Sequence, residues 1–407
     1  MIEWLLLLLP VAAASGWWAA RRGDARNGAA GSTTDPSFFR GLNYLLNEQP
    51  DKAIDVFLKL VEVDGETAET HLALGSLFRR RGEVDRAIRI HQNVVARPNL
   101  SKEQRGYALY ELGQDYMRAG LFDRAESLFG ELVEMQVYRK RALEALREIY
   151  QQEKDWVRCL NVAEQLQALT GESVRAEMAQ YHCELVQEAL KAGNGEAADE
   201  QLARAQAADP RCARATMLQG QMAMARGDAK AAVSIFHRVA EQGPQFLPEI
   251  LPELLEAYRR SGRGNPIPEL RRLHRDCPSP SLALALADAL QREEGDDAAI
   301  AFLVDYVSRY ADLSSLERLL GIYGPTLKDD TKTQAIYRAV LAVVDHLASR
   351  QHDHQCEHCG FVARRLHWQC PSCKHWGSIK PVQPQPIGDG ADSVSDPSTV
   401  RIRGPSP

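Results

Sequence analysis

Apolar and small residues recur along most of this chain with a helical spacing that itself repeats. A small residue is followed after three positions by an aromatic or apolar residue, after twelve by alanine and after sixteen by another large residue. Four copies follow this pattern, and they begin at Gly41, Gly75, Gly113 and Gly220. The offset from Gly41 to Gly75 is 34 residues, which is the period of tetratricopeptide repeats.

The residue types in the pattern have a physical reason. Each repeat is predicted to be two antiparallel helices, in which small residues let the helices cross closely and large residues fill the space beside them. Gly82, Gly120 and Gly227 are predicted to end the first helix of their pairs. Because one pair cannot bury its apolar face alone, neighbouring pairs must stack. The sequence therefore predicts an all-α tetratricopeptide superhelix of eight or nine helix pairs over residues 37–350.

The full copies of the repeat share four positions in the same order. Their members are Gly41, Tyr44, Ala53 and Phe57; Gly75, Phe78, Ala87 and His91; Gly113, Tyr116, Ala125 and Phe129; and Gly220, Ala223, Ala232 and Phe236. Weaker copies pair Tyr150 with Cys159, and Ala189 with Ala198 and Leu202. We interpret these residues as core packing.

The repeat pattern weakens after residue 240. Seven prolines lie between Pro244 and Pro280. Proline is accepted in the first turn of a helix, so short helices that begin with proline are expected there. Helical periodicity returns over residues 281–350, with Gly295 and Gly321 as predicted breaks.

The N-terminus contains an uncharged run of 17 residues, from Trp4 to Ala20. As a helix it would span about 26 Å, at roughly 1.5 Å per residue, which is enough for the hydrocarbon core of a bilayer. Trp4 stands at one end and Trp17 and Trp18 at the other, as expected for residues at the membrane interface. We predict a transmembrane anchor over residues 1–20.

The charges beside this run favour an anchor over a cleaved signal peptide. A signal peptide has a positive region before its apolar stretch, but here the only charged side chain before the run is that of Glu3. The arginines 21, 22 and 26 follow the run instead, which predicts that the chain after it is cytoplasmic. The sequence thus predicts a single-pass inner-membrane protein, with a flexible Gly/Ala/Ser/Thr-rich linker over residues 21–36.

Composition narrows the possible functions. Hydrophobic residues make up 44% and charged residues 26%, which is typical of a folded protein. The formal net charge of −6 argues against a broad nucleic-acid-binding surface, so no nucleic-acid partner is expected. No phosphate-binding loop, Ser/His/Asp order or zinc-protease motif occurs, so the chain is not predicted to be an enzyme.

The eight cysteines fall into two groups. Four occur singly and are interpreted as small buried residues: Cys159, Cys183, Cys212 and Cys277. The other four lie within 18 residues as C-x2-C-x10-C-x2-C: Cys356, Cys359, Cys370 and Cys373. Two cysteines separated by two residues can direct both sulfurs to one ion, and two such knuckles complete a tetrahedral shell. The spacing therefore predicts one S4 metal site, which either zinc or a single iron would fit.

The metal module is predicted over residues 351–381. Its spacer suits a short hairpin, with Val362, Leu366 and Trp368 as expected strand residues. A module of this size has little hydrophobic core, and the metal is therefore expected to supply most of its stability. The five nearby histidines (352, 354, 358, 367 and 375) are not expected to replace a cysteine, and no βαβ pattern supports a redox cysteine pair. Residues 382–407 are predicted to be a disordered tail.

The order of anchor, repeats and terminal cysteine knuckles resembles the lipopolysaccharide assembly protein B family of Gram-negative bacteria. Three segments carry the resemblance: LLLLLPVAAASGWWAARR (5–22), FFRGLNYLLNEQPDKAIDVFLKL (38–60) and HWQCPSCKHWGSIKP (367–381). It covers residues 1–381 and implies a rubredoxin-type module with the four clustered cysteines as ligands. Rubredoxin knuckles usually read C-x-x-C-G twice; Gly360 matches, but Lys374 replaces the second glycine. This departure favours a structural metal, and therefore zinc, over an iron centre that transfers electrons.

The resemblance also implies a function. Members of the family look like adaptors that promote degradation of the deacetylase LpxC by the membrane protease FtsH, and so regulate lipopolysaccharide synthesis. A further inner-membrane protein, which senses lipopolysaccharide, is the implied regulatory partner. A general scaffold for the synthesis proteins and a rubredoxin-like electron carrier are the alternative hypotheses.

Overall fold

The computed structural model describes residues 39–41, 43–44, 47, 49–63, 68–262, 264–326, 331–348, 350, 352–383 and 386–387. Within these ranges lie seventeen α-helices and three short strands. The predicted anchor, the linker and most of the predicted tail fall outside them. No described helix combines the length and the apolar composition needed to cross a bilayer. The chain divides into two compact units, the first ending at Asp155 and the second beginning at Trp156.

The first unit contains six described helices. They are α1 Pro50–Val63, α2 Ala68–Arg80, α3 Val84–Val95, α4 Lys102–Arg118, α5 Phe122–Met135 and α6 Arg139–Glu153. Consecutive helices pack in sequence order, α2 on α3 and α4 on α5, as helix pairs of a repeat do. The capping box of Ser101 and Gln104 begins α4, because the side-chain oxygen of each residue accepts the backbone N–H of the other.

The second unit contains eleven described helices and the strands. The helices are α7 Trp156–Thr170, α8 Arg175–Lys191, α9 Gly195–Ala208, α10 Ala213–Ala225, α11 Ala229–Gln242, α12 Leu247–Ser261, α13 Ile267–Asp276, α14 Pro280–Glu294, α15 Asp296–Arg309, α16 Leu313–Tyr323 and α17 Thr331–Ala348. The all-α repeat fold predicted from the spacing is confirmed.

The repeat positions form the core as predicted. A Cβ atom placed on Gly113 would lie 2.6 Å from Cε1 of Phe129, so only glycine lets the phenyl ring pack against the helix backbone. The same close approach joins Gly41 to Phe57 and Gly220 to Phe236. The alanines twelve positions after these glycines are fully buried: Ala53, Ala125 and Ala232.

The glycines between the paired helices adopt the conformation that their turns require. Gly82, Gly120 and Gly227 have φ angles of 87°, 74° and 82°. A side chain is disfavoured in this left-handed region, which explains why glycine occupies these turns. The repeat signature is thus a set of backbone requirements as well as a pattern of apolar residues.

The proline-rich stretch forms helices that begin near proline. A 3₁₀ turn covers Pro244–Phe246, α13 is only 10 residues long, and α14 begins at Pro280. Gly295, with φ 94°, separates α14 from α15 as expected. The predicted break at Gly321 is wrong, because this residue lies inside α16. One glycine costs a helix only about 1 kcal/mol, and the packing of α16 against its neighbours outweighs that cost.

The single cysteines are buried, as predicted. Cys159 and Cys183 are completely buried, and Cys212 and Cys277 nearly so. Cys183 and Cys212 had no partner pattern in the sequence, yet they contact each other between α8 and α10, and this contact raises the pKa of the Cys183 thiol.

Three short strands follow the helices: β1 His354–Cys356, β2 Val362–Ala363 and β3 Ile379–Pro381. They form an antiparallel sheet in the order β2-β1-β3, with Gln355 opposite Val362 and Cys356 opposite Ile379. Val362 is a strand residue as expected. The same expectation is wrong for Leu366 and Trp368, which lie outside the strands and pack against the helical core.

Beyond β3, the described part of the predicted tail returns to the helices. Pro386 pairs with Tyr310, and the backbone N–H of Ile387 donates to the carbonyl of Arg309 over 2.7 Å.

Candidate metal centre

Two similar turns present the four clustered cysteines. The N–H of Gly360 donates to the carbonyl of Cys356, and the N–H of Lys374 donates to the carbonyl of Cys370, each over 2.9 Å. Both donors have left-handed backbone, with φ angles of 75° and 61°. The substitution of lysine for the usual glycine therefore leaves the second turn intact, although it places a side chain in a disfavoured conformation.

The sulfur positions fit one tetrahedral ion. Sγ of Cys356 lies 3.7 Å from Sγ of Cys373, and Sγ of Cys359 lies 3.7 Å from Sγ of Cys370. A metal bound to four sulfurs at about 2.3 Å would place them about 3.8 Å apart, whereas a disulfide would bring two of them to about 2.05 Å. All four sulfurs lie within 4.8 Å of one another. The structure brings together the whole predicted set in an arrangement suited to a metal.

The surroundings make two of the thiols acidic. Burial disfavours the Cys356 thiolate, but hydrogen bonds with Ser378 and with the backbone N–H groups of residues 358 and 359 outweigh this effect, and the pKa of the thiol falls to about 6. The backbone N–H of Phe361 lowers the pKa of Cys359. Burial raises the pKa of Cys370 and raises that of Cys373 to about 12. A divalent cation stabilises all four as thiolates, because metal ligation requires the deprotonated sulfur.

A second group of metal-binding side chains lies beside this site. His358, Cys373 and His375 have potential ligand atoms within 4.8 Å of one another. The two imidazole rings are stacked, with centroids 3.6 Å apart and planes tilted by 22°. The lone pair of an imidazole lies in the plane of its ring, so two stacked rings cannot both point at one ion. The Nδ1–H of His375 also donates to the carbonyl of Cys373 over 3.0 Å. This geometry favours the four-cysteine shell.

The module has very little core of its own. Its buried apolar cluster consists of Cys356, Cys370 and Ile379, and two of these three are predicted metal ligands. The module covers more of its apolar surface by packing Leu366 and Trp368 on the helical core of the second unit. The ring of Trp368 lies 5.2 Å from that of Phe246, and the Arg214 guanidinium lies 5.5 Å from the Trp368 ring.

A second aromatic contact joins the module to α7 and α8. Trp376 meets Trp156 and Tyr181 edge-to-face, with ring centroids 5.9 Å and 5.7 Å away. A partly buried hydrogen bond adds to this docking, because Nε2 of His354 lies 2.7 Å from Oε1 of Glu249. Aromatic pairs of this kind contribute about 0.5–1.5 kcal/mol each beyond the area they bury.

The helical side of this contact is absent from the sequence prediction. Trp156, Tyr181, Arg214 and Phe246 resemble ordinary repeat residues, and nothing local marks them as partners of the module. The module side did carry a signal. A His-Trp pair occurs twice, at 367–368 and 375–376, in a segment too small to bury two indoles by itself. Two tryptophans that the segment cannot bury indicate a surface that packs against another part of the protein.

Comparison with known proteins agrees with this geometry. The family model of the rubredoxin metal binding domain matches residues 354–381, and tetratricopeptide repeat models match residues 70–103 and 183–245. The fold and the site therefore define a tetratricopeptide-repeat protein with a C-terminal rubredoxin-type metal-binding domain.

Curated relatives identify the family. Lipopolysaccharide assembly protein B of Escherichia coli strain K12 is 36% identical over 347 residues, 85% of this chain and 89% of that protein. The protein of the same name from Haemophilus influenzae is 34% identical over 357 residues, 86% and 90% of the two chains. The chain belongs to the lipopolysaccharide assembly protein B family. Among solved structures, the C-terminal part of a repeat protein from Cytophaga hutchinsonii has a TM-score of 0.36 and 14% identity, covering 67% of this chain and 94% of that one.

Proposed function

We propose that this protein is a membrane-anchored cytoplasmic adaptor that regulates lipopolysaccharide synthesis by promoting FtsH-dependent proteolysis of LpxC. Family membership over 85% of the chain carries the proposal, since the relatives are named for lipopolysaccharide assembly. The helical repeats support a binding role, because stacked repeats present extended surfaces to proteins. We propose no catalytic residue.

The proposed anchor over residues 1–20 gives the adaptor its location at the inner membrane. A chain held beside a membrane protease meets it at a much higher effective concentration than a free chain does. The repeats and the metal domain then hold the client, LpxC. A lipopolysaccharide-sensing protein of the inner membrane is the proposed regulator of this encounter.

We also propose that Cys356, Cys359, Cys370 and Cys373 bind one metal ion, zinc in preference to iron. Zinc bound to four thiolates cross-links the two knuckles and carries no redox chemistry. The chain's own residues then determine the effect of the site. The tryptophans 368 and 376 extend from the cross-linked module and fix it on the helices. The proposed role of the metal is therefore structural, because it maintains the surface by which the module docks on the helices.

The half-life of LpxC in cells depleted of this protein tests the proposed function. We expect LpxC to persist longer after depletion, and the full-length chain to restore rapid degradation. A chain without residues 1–20, expressed at native abundance, should restore it poorly while its repeats remain folded. An unchanged LpxC half-life would reject the proteolysis adaptor and leave a general assembly scaffold as the better description.

Metal analysis of the purified protein tests the second proposal. We expect one zinc ion per chain and no reversible redox signal. One iron per chain with a reversible potential would instead support the electron-carrier hypothesis.

A further inference from the structure

An exposed apolar stripe runs along α17, the last described helix. Its members are Ile336, Val340, Val343 and Leu347, whose exposed fractions are 63%, 46%, 59% and 47%. The other exposed large apolar side chains of the described residues occur at most two to a helix or strand. Because contiguous exposed apolar surface marks interaction sites, α17 is the strongest candidate for an interface in the described part of the chain.

The stripe is distinct from the face by which α17 joins the repeats. Val344 is buried, and the hydroxyl of Tyr337 donates to the carbonyl of Leu320 on α16 over 2.7 Å. Helices pack on their successors in the same way earlier in the array, such as α11 on α12 and α15 on α16. No helix follows α17 in the described part of the chain. The ends of repeat arrays normally have polar outer faces, so an apolar stripe at this end indicates a surface for association.

The spacing of the stripe is that of a coiled-coil seam. Its members are separated by four, three and four residues, and this alternation brings apolar side chains to one side of a helix that packs lengthwise on another. Arg338 and Asp345 are exposed but project from roughly the opposite side, since each residue turns the helix by about 100°. The stripe therefore fits an apolar helix face rather than a charged segment.

We propose that α17 packs antiparallel on α17 of a second copy of this chain. The four positions are symmetric about the midpoint between Ile336 and Leu347. An antiparallel copy therefore sets Ile336 against Leu347 of the second copy, and Val340 against Val343. The two-fold symmetry of such a dimer repeats both contacts, so every member of the stripe gains an apolar partner. This proposal is independent of any role in proteolysis.

Charge favours the antiparallel arrangement over a parallel one. Arg350 follows Leu347 at the end of the stripe and is exposed. A parallel pair would place the two copies of Arg350 side by side, whereas an antiparallel pair places Arg350 beside Thr333 of the second copy. The dipoles of antiparallel helices also attract each other.

The size of the face sets the expected strength of the contact. A helix of 18 residues is about 27 Å long and about 10 Å wide, which gives a footprint of about 270 Å². Stable complexes bury about 800 Å² on each partner. We therefore expect a reversible dimer whose population rises with concentration.

Sedimentation equilibrium of the full-length chain in density-matched detergent micelles tests the proposal. The measurement covers a hundredfold range of protein concentration, over which the parent chain should pass from monomer to dimer. Val340→Glu with Val343→Glu places charge in the middle of the stripe and should raise the dissociation constant at least tenfold. Both positions are exposed, so helix content and melting temperature should stay those of the parent.

The matched control is Ala335→Glu with Ala342→Glu. These alanines are exposed on the same helix but lie more than 90° around it from the stripe, and the variant adds the same charge. It should dimerise like the parent. A parent chain that stays monomeric over the whole range, or a dimer equally stable in the parent and in the Val340/Val343 variant, would overturn the proposal.

A photo-crosslinker at one end of the stripe identifies the occupant and its direction. With Ile336→p-benzoylphenylalanine in the full-length chain, irradiation should give dimers whose crosslinks map to residues 343–350. Residues 336 and 347 of one chain are about 16 Å apart along the helix, so a crosslink between them joins two copies. Crosslinks between the two copies of residues 333–340 would overturn the antiparallel arrangement. Crosslinks to residues 1–20 or 388–407 within a monomer would show that the chain itself covers the stripe, and would overturn the dimer.

Discussion

The helical repeats and the metal module achieve a folded state by opposite means. In a repeat, the side chains that fix the structure are apolar and fully buried, such as Phe129 against Gly113. In the module, two of the three buried core residues are cysteines whose sulfurs surround a common centre. Each repeat is therefore stabilised by apolar surface that it buries against its neighbours. The module instead depends on metal ligation and on docking to the helices.

The strongest test of this contrast removes two ligands at once. Cys356→Ser with Cys359→Ser should abolish metal binding and unfold residues 352–383, because structural zinc contributes on the order of 10 kcal/mol in such modules. Metal analysis and hydrogen exchange measure the two effects separately. The helices should keep their protection, since their cores contain no metal ligand. Retained metal would refute the ligand assignment, and loss of protection in α1–α6 would refute the contrast.

The first unit contains a polar exception to its apolar packing. Arg79 donates to Glu111 over 2.6 Å and to Asp115 over 2.7 Å, and Asp115 also contacts the buried His91 over 2.5 Å. Arg79→Met would leave these buried carboxylates without their cation, and we expect a loss of about 3–5 kcal/mol in the free energy of unfolding. Arg86→Met, at an exposed ion pair with Glu83, should cost under about 1 kcal/mol in the same urea titration.

The effect of Arg79→Met should depend on pH in a defined direction. Burial tends to raise the pKa of Glu111, but Arg79 outweighs it and holds that pKa below its ordinary value of 4.5. The carboxylate therefore stabilises the fold above about pH 4.5, and this contribution is lost as the pH falls through the lowered pKa. The gap between parent and Arg79→Met should thus narrow on acidification. A gap that widens would show that another group dominates.

Docking can be separated from metal binding by removing an indole. Trp368→Ala deletes the contacts with Phe246 and Arg214 while leaving all four cysteines in place. We expect a loss of about 3 kcal/mol in docking, seen as faster hydrogen exchange in β1 and β3 with metal content unchanged. Leu121→Ala serves as a control for loss of an exposed apolar residue. Release of the metal by Trp368→Ala would mean that docking and ligation are one event.

Close packing in the repeats can be tested with a single methyl group. Gly113→Ala would bring Cβ against Phe129 and should cost about 1–3 kcal/mol in the free energy of unfolding. Gly130→Ala is the matched control on the partner helix α5, because nothing lies within 4 Å of its Cβ position. That change should be neutral or stabilise by up to about 1 kcal/mol. Equal effects of the two substitutions would contradict the role of Gly113.

The smallest expected effect concerns the second knuckle. Lys374→Gly relieves a left-handed side chain with φ 61° and should stabilise the metal-bound module by about 1 kcal/mol. Competition with a chelator measures the gain as slower metal release. Gly360→Lys makes the reverse change in the first knuckle and should weaken metal retention by a similar amount.

Much of this structure could be predicted because its causes are local. The spacing from Gly113 to Phe129 defines a helix crossing, and the C-x2-C spacing defines a knuckle, whatever surrounds them. The predictions that are wrong concern residues whose conformation depends on packing against distant parts of the chain. Gly321 continues a helix because its neighbours hold it, and Leu366 and Trp368 leave the strands because the helical core receives them.

By itself, the amino-acid sequence determined the repeat architecture, the four-cysteine cluster and the family, since each depends on residues at fixed, short separations. Only the tertiary structure decided where the module docks and how Arg79 is neutralised. The physical reason is the distance along the chain between the contacting groups. His354 and Glu249 are 105 residues apart and neither is marked by its neighbours, so their hydrogen bond arises only when the helices and the module come together.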